Sequence, residues 1–312
     1  MSQSTETPPF ATVYSQNSIS AVSDHPDLVD NFALSSTTKP GRPRPGSKLV
    51  FACTVPVADS KIYRGLARGS AGLAALGRFN YSIPAQVSRS FSTPLIFSLC
   101  LPSSSEASGL ALFNSPRIDL SKSLIYTPLI TAPIGSDTQV YIVSQSPEYY
   151  IGLTAIKVNG KSIPLNRSLL AITELGHGGV KISTSRAYSV LHTSVFNALR
   201  DAFVKESSKL NLTLIEPLEP FKVCYVAEKM EITRGGPAVP IIDLVLQSER
   251  LFWRIYRSNS MVRVRIGNVD AWCLGFVDGG DDPRTSIIIG GHQFEDNLLE
   301  FDFIGKLIYY YY

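Results

Sequence analysis

The chain of 312 residues lacks any long apolar run, although 44% of its residues are hydrophobic. None of its apolar stretches approaches the roughly 18 consecutive residues that a membrane-spanning helix needs. We therefore expect neither a spanning segment nor a membrane partner. The hydrophobic residues are instead numerous enough to fill the cores of two ordinary domains.

Charge is also scarce. Charged residues make up 18% of the chain, and the net charge of +3 is spread along it without a long basic block. A nucleic-acid-binding surface would need Lys and Arg clustered on one face. The distribution therefore argues against nucleic acid as a partner and is compatible with a mildly basic secreted protein.

Metal-ligand and cofactor motifs are missing as well. No phosphate-binding GxxxxGK[ST] motif follows the pair Gly178–Gly179, which we interpret as a backbone requirement. We expect no cofactor and no metal site, because no two histidines have the spacing of a metal pair. The four histidines are scattered through the chain: His25, His177, His192 and His292.

The first ten residues have neither the basic head nor the apolar core of a secretory signal. From the sequence as written we therefore expect no signal peptide. Yet three Asn-x-Ser/Thr sequons would be glycosylation acceptors in the secretory pathway. They begin at Asn80, Asn166 and Asn211.

Short apolar runs separated by Gly, Pro and Ser follow one another from Leu49 onward, a pattern that predicts an all-β protein. Ser82 precedes an early proline, so a short helix should begin there. Asn159–Gly160 is a strong signal for a two-residue hairpin turn. One longer helix is predicted from a single apolar face made by Val195, Leu199, Ala202 and Phe203.

The most informative stretch surrounds the short alternating run Val180–Ile182, which is predicted to be a strand. It is preceded by Gly178–Gly179 and ends at three hydroxyl residues, 183–185. About a hundred residues later, 285–291 contains an apolar pair followed by glycine, which can pass beneath a loop because glycine allows another backbone to come close. Strand, hydroxyl-rich turn and apolar-apolar-Gly strand form the signature of one pepsin-like lobe.

Further strings match one family. The sequence resembles the plant aspartic-protease-like proteins that include the endo-xylanase inhibitors, the extracellular dermal glycoproteins that inhibit xyloglucan-specific glucanases, and the basic globulins of legume seeds. The resemblance covers roughly Leu49 to Ile308. The matching strings are Gly178-Gly179-Val180-Lys181-Ile182-Ser183-Thr184, Gly236-Pro237-Ala238-Val239-Pro240, Cys273-Leu274-Gly275-Phe276-Val277-Asp278-Gly279-Gly280 and Ile289-Gly290-Gly291-His292-Gln293-Phe294-Glu295-Asp296-Asn297-Leu298-Leu299.

This resemblance implies a pepsin-like bilobal acid-protease fold, with an incomplete N-terminal lobe and a near-complete C-terminal lobe. We expect an irregular N-terminal segment at 1–48, a partial N-terminal lobe at 49–135 and a C-terminal lobe at 148–312. The family also implies an extracellular location, in the apoplast or cell wall. We expect a monomer that carries glycans on its sequons.

The chain has four cysteines, which allow three pairings. The resemblance implies that Cys224 and Cys273 form a disulfide in the second lobe. Cys53 and Cys100 lie on apolar runs that would allow neighbouring strands. For these two residues a disulfide and a pair of buried free thiols remain equal alternatives.

Pepsin-type hydrolysis needs two carboxylates that share one proton, so that one activates water while the other protonates the substrate. In an active protease, the turn after the strand would begin with aspartate, whereas Ser183 stands here. The family places the other carboxylate in an N-terminal segment that this sequence does not carry. We therefore expect no catalytic residue and no protease activity. A Ser-His-Asp arrangement of Ser183 with His177 or His292 is the less favoured alternative.

Arg234 lies in a loop before a strand and is followed by Gly235, Gly236 and Pro237. Relatives that block glucanases resemble this pattern and place a loop arginine at this position between the two catalytic carboxylates of the hydrolase. The alternative interpretation is an ordinary exposed arginine. The resemblance thus suggests a catalytically inactive inhibitor of secreted glycoside hydrolases, such as a xylanase or a xyloglucan-specific glucanase, in plant defence. The competing hypotheses are an aspartic endopeptidase and a truncated fragment without function of its own.

Overall fold

Strands account for most of the regular structure in the computed structural model, which describes residues 15–16, 22–23, 27–35, 43–52, 72–104, 106–113, 124–132, 146–303 and 307–311. The chain forms two compact units, Met1–Leu95 and Ile96–Tyr312. Among the described residues, no helix combines the length and the apolar character that a membrane crossing requires.

The described residues of the first unit form two antiparallel strand pairs and one helix. The longer pair, β3–β4, has a register shift between Phe32 and Leu34. The helix begins where predicted, because the Ser82 hydroxyl accepts the Ala85 N–H at 3.4 Å and Pro84 lies in the first turn. The elements are β1 (Ser15–Gln16), β2 (Val22–Ser23), β3 (Asp27–Ser35), β4 (Pro43–Ala52) and α1 (Ile83–Phe91).

Gln86 joins this helix to the neighbouring strand. Its buried side chain accepts the Val50 N–H at 2.7 Å and donates to the Val50 carbonyl at 2.9 Å. The Gln86 amide thus pairs with the Val50 backbone as a neighbouring strand would, because a strand would offer the same N–H donor and carbonyl acceptor.

The second unit carries the remaining elements. In chain order the first are β5 (Ile96–Cys100), β6 (Leu110–Phe113), β7 (Leu124–Ile130), β8 (Tyr149–Ile151), β9 (Ala155–Val158), β10 (Lys161–Ser162), β11 (Val180–Ile182), β12 (Ser189–Leu191), α2 (Thr193–Ser207), β13 (Leu214–Ile215) and β14 (Cys224–Val226). They are followed by β15 (Ile232–Thr233), β16 (Gly236–Pro237), β17 (Ile242–Val245), β18 (Phe252–Ile255), α3 (Arg257–Ser260), β19 (Met261–Ile266), β20 (Val269–Leu274), β21 (Phe276–Asp278), β22 (Ile287–Ile289), β23 (Leu298–Asp302) and β24 (Leu307–Tyr311). Three short 3₁₀ helices span Arg167–Leu170, Ser208–Leu210 and Gly291–Phe294.

A ten-stranded sheet forms the centre of this unit, in the order β21-β12-β22-β11-β8-β7-β24-β23-β5-β6. It combines strands from both predicted lobes, and the lobe boundaries themselves stay a prediction. Three aromatic side chains pack together on this sheet, those of Phe97, Tyr149 and Phe301. The ring centroid of Phe301 lies 4.7 Å from that of Phe97 and 4.7 Å from that of Tyr149. This aromatic cluster is buried and joins strands that are about two hundred residues apart in sequence.

Two local predictions are confirmed. The hairpin β9–β10 turns at Asn159 and Gly160, which have positive φ angles of 47° and 76°. The long helix α2 buries the predicted apolar face, and its residues Val195, Leu199 and Phe203 are all inaccessible to solvent.

The implied disulfide between Cys224 and Cys273 is present. The two cysteines are opposite each other on β14 and β20 and are completely buried with Phe221 and Ala271. Cys100 has a free thiol, so the alternative bridge to Cys53 is not formed. Cys53 lies outside the described residues.

Candidate functional site

Strand β11 lies between two neighbours, antiparallel to β8 and parallel to β22. It ends at Ser183, whose N–H donates to the Ile289 carbonyl at 3.0 Å. The predicted backbone role of Gly178 and Gly179 is confirmed, because both have positive φ angles and a Cβ on Gly178 would lie 2.3 Å from the Ala171 carbonyl oxygen. The hydroxyl turn is therefore held at the end of a buried strand.

The Ser183 hydroxyl faces another hydroxyl. Its Oγ lies 2.8 Å from the Oγ of Ser185, so the two side chains form a hydrogen bond within the turn. Serine cannot act as a general base by itself, and a nucleophilic serine needs an adjacent base. Among the described residues, no histidine or carboxylate forms a hydrogen bond with the Ser183 hydroxyl.

The two histidines considered as partners of Ser183 lie elsewhere. His177 is exposed in a loop, where its N–H donates to the Thr173 hydroxyl at 3.0 Å. The His292 ring lies 2.8 Å from the Glu295 carboxylate and donates to the Met261 carbonyl at 3.2 Å. Both ring nitrogens of His292 are thus occupied, and the arrangement offers no catalytic triad with Ser183.

A buried ion pair lies beside the turn and was not predicted. Lys181, in the middle of β11, contacts the Glu148 carboxylate at 2.6 Å, and both side chains are nearly inaccessible to solvent. The Tyr150 hydroxyl donates to the same carboxylate at 3.2 Å. Burial and the neighbouring Glu148 raise the pKa of Tyr150 to about 12, so this phenol remains a donor at neutral pH. The alternating run Val180–Ile182 indicated only a strand and gave no sign of this pair, because the partner lies 33 residues away.

Arg234 lies at the tip of a two-stranded hairpin. Strands β15 and β16 pair through Ile232 with Pro237 and Thr233 with Gly236, so that Arg234 and Gly235 form the turn. Arg234 is exposed, and no described residue forms an ion pair with it. Next to it Ile232 keeps 59% of its surface exposed. The hairpin therefore presents one cation and one apolar side chain to solvent.

The three sequon asparagines are exposed. Asn166 precedes the 3₁₀ helix Arg167–Leu170 and accepts the Ser168 N–H at 3.1 Å. Asn211 has a positive φ of 54° at the end of another 3₁₀ helix. All three positions are thus accessible to a modifying enzyme.

A strand that ends in a hydroxyl turn, flanked by a parallel strand with the apolar-apolar-Gly pattern, defines an aspartic-protease-like protein. Residues 148–311 match the family model described as "Xylanase inhibitor C-terminal", and residues 3–114 match "Xylanase inhibitor N-terminal". The chain belongs to this family, as the sequence motifs predicted.

Relatives with known names support the same assignment. "Probable aspartic proteinase GIP1" of Glycine max is 48% identical over 279 residues, which are 88% of this chain and 64% of that protein. "Gamma conglutin 1" of Prunus dulcis is 34% identical over 82% of this chain and 55% of the relative. The chain therefore spans less than two thirds of the length of these relatives.

A solved structure of edgp superimposes with a TM-score of 0.86 at 38% identity, over 96% of this chain and 74% of that chain. This likeness confirms the mostly β, pepsin-like fold predicted from the sequence.

Proposed function

We propose that this chain is a catalytically inactive, pepsin-like binding protein that inhibits a secreted glycoside hydrolase through the hairpin that carries Arg234. The observation that carries the proposal is the position of Arg234, an exposed arginine at the tip of a hairpin with no ion-pair partner among the described residues. The xylanase-inhibitor description of the matching family supports the same choice of partner.

The chemistry of the proposed target fits an arginine. Most glycoside hydrolases place two carboxyl groups about 5 to 9.5 Å apart in their cleft. A planar guanidinium has five donors and can hydrogen-bond both carboxyl groups at once. Such a contact, desolvated at the centre of an interface, is of the type that dominates binding energy.

The proposed absence of catalysis rests on Ser183. Its hydroxyl is hydrogen-bonded to Ser185 and stands where an active aspartic protease has a carboxylate. A serine cannot share a proton with a second acid in the manner of the aspartic dyad.

The direct test is inhibition. The purified 312-residue chain would be incubated at micromolar concentration with a microbial xylanase and with a xyloglucan-specific glucanase, and residual activity measured. We expect loss of activity of at least one enzyme. The proposal would be refuted if a folded sample left both enzymes fully active and also failed to inhibit a wider panel of microbial glycanases.

Aspartic endopeptidase activity is the second candidate, because the soybean relative is named a probable aspartic proteinase. It predicts pepstatin-sensitive cleavage of denatured protein at acid pH. Our proposal expects no such cleavage, and an assay on denatured haemoglobin between pH 2 and 5 (roughly the range in which two carboxyls share one proton) distinguishes the two.

We further propose an extracellular location. Three exposed sequons and a buried disulfide are the features expected of a protein that folds in an oxidising compartment. Mass spectrometry of the protein from its native tissue would detect glycans on Asn80, Asn166 or Asn211.

A further inference from the structure

We propose that Arg257 is a positioning residue that holds the hairpin of Arg234 in the orientation needed for binding. This inference rests on the proposed function for its role, but the contacts on which it depends belong to the free protein. Arg257 is the first residue of α3 and is partly buried beside the hairpin.

The guanidinium of Arg257 contacts both sides of the hairpin. Its Nε donates to the Val239 carbonyl at 3.1 Å, on the chain that leaves the hairpin. Its Nη1 donates to the Thr233 hydroxyl at 3.4 Å, on the strand that enters it. The Thr233 hydroxyl in turn donates to the Gly236 carbonyl at 2.8 Å across the turn. One side chain therefore links the strand before Arg234 to the chain segment that follows the hairpin.

The backbone of α3 supports the turn directly. The Ser258 N–H donates to the Gly235 carbonyl at 2.8 Å. Gly236 has a φ of +106°, and a Cβ there would lie 2.5 Å from the Ser258 nitrogen. The hairpin thus lies against the first residues of α3 with no room for a side chain at position 236, which restricts the direction in which Arg234 can project.

Helix α3, against which the hairpin lies, is itself connected to the strands of the central sheet. Asn259 is buried and donates to the carbonyls of His292 and Glu295 at 3.0 and 2.9 Å. Gln293 donates to the Asn259 carbonyl at 2.9 Å and accepts from Ser189, at the start of β12. A continuous set of buried hydrogen bonds therefore extends from the sheet to α3, and the hairpin rests on a rigid base.

Arg257 uses its donors on a carbonyl and a hydroxyl, and no described carboxylate forms an ion pair with it. This choice of partners suits a positioning role. A binding loop that is already ordered in the free protein loses less conformational entropy when it binds. We therefore expect the loss of Arg257 to weaken inhibition without removing any group that contacts the hydrolase.

The test is a double-mutant cycle on inhibition of the hydrolase identified with the wild-type chain. Arg257→Ala should weaken inhibition about tenfold or more, whereas the double variant Arg234→Ala/Arg257→Ala should be no weaker than Arg234→Ala alone. Effects that multiply in the double variant, or an unchanged inhibition constant for Arg257→Ala, would overturn the inference.

A second measurement needs no hydrolase. Trypsin cleaves after arginine, so the rate at which the Arg234–Gly235 bond is cut reports the order of the hairpin in the free protein. We expect trypsin to cut this bond faster in Arg257→Ala than in the wild-type chain. Mass spectrometry measures the cleavage rate, under conditions where circular dichroism shows that both proteins are folded. An unchanged rate contradicts the positioning role.

Arg254→Ala is the matched control. It removes the same charge from the neighbouring strand β18, where Arg254 pairs with Asp243 at 2.8 Å. It should reduce stability yet leave cleavage at Arg234–Gly235 and inhibition unchanged. If the wild-type chain inhibits no hydrolase, the proposed function fails, and cleavage at this bond alone decides the positioning role.

Discussion

The backbone of Gly290 crosses that of Tyr188 so closely that a Cβ on residue 290 would lie 2.4 Å from both the carbonyl carbon and the carbonyl oxygen of Tyr188. Residue 290 follows β22, and its N–H donates to the Ser189 hydroxyl at 3.1 Å. The apolar-apolar-Gly pattern therefore reflects a contact between two backbones. No flexible side chain is present at this contact to move aside.

Replacing Gly290 by alanine should accordingly destabilise the protein by about 3 kcal/mol or more, because backbone must shift to admit the methyl group. Gly152→Ala is the matched control: its new Cβ would meet only the Ile130 Cδ1, at 3.7 Å. We expect that variant to stay within about 1 kcal/mol of wild type. Urea unfolding followed by tryptophan fluorescence measures both, and equal stabilities would contradict the packing argument.

The disulfide should stabilise the C-terminal part of the second unit. Cys224 and Cys273 are 49 residues apart, and both are fully buried. Closing a loop of this length should contribute about 2 to 4 kcal/mol, chiefly by restricting the unfolded chain. We expect the double variant Cys224→Ala/Cys273→Ala to have a free energy of unfolding lower by this amount, seen as a lower midpoint of urea unfolding. Cys100→Ala, which removes a free thiol, should lose much less, and a larger loss for Cys100 would argue against this pairing.

Glu206 at the end of α2 is predicted to give a pH-dependent contribution to stability. Its carboxylate contacts Lys209 at 2.6 Å and Lys161 at 2.9 Å, and hydrogen bonds from the two ammonium groups lower its pKa from 4.5 to about 2. Because the folded-state pKa lies below that of the unfolded chain, the contribution is complete above about pH 4.5 and is lost as the pH falls towards 2.

Glu206→Gln should therefore be less stable than wild type at pH 7, and the difference should disappear between pH 4.5 and 2. Thermal unfolding across this range measures it. Lys161→Ala/Lys209→Ala serves as control, since removal of both cations should abolish the same pH dependence. A difference that is constant with pH would show that the two lysines do not hold the carboxylate ionised.

Local features of the fold could be predicted from the sequence because their determinants lie within a few residues. The Ser82 cap, the Asn159–Gly160 turn and the apolar face of α2 depend on side chains that contact their own element. The glycine patterns at 178–179 and 290 were also informative, since each marks a close backbone approach.

Contacts between distant segments could not be predicted in this way. The sequence predicted the strand that contains Lys181 but not its partner, because Glu148 lies 33 residues away, just before β8, and allows the lysine to be buried. The pairing of β23 with β5 joins Leu299 to Leu99. Arg257 carried no signal at all, because its role depends on the folding of β18 and α3 beside the hairpin.

Arg234 gives the most direct functional prediction. Its side chain is exposed, and none of the described residues forms an ion pair with it, so its removal should leave the stability of the free protein unchanged within about 0.5 kcal/mol. Under the proposed function, Arg234→Ala should inhibit the hydrolase about 10- to 100-fold or more weakly, which is the loss typical of a charged group at the centre of an interface.

Arg234→Lys should recover only part of this loss, because an ammonium is a point charge and cannot bridge two carboxylates with a planar set of donors. Arg167→Ala, which removes an exposed arginine from the 3₁₀ helix Arg167–Leu170, should inhibit as wild type does. Inhibition constants for the four proteins, wild type included, decide the matter. If Arg234→Ala and Arg167→Ala inhibit equally well, the hairpin is not the inhibitory element, and a different surface of this fold must contact the hydrolase.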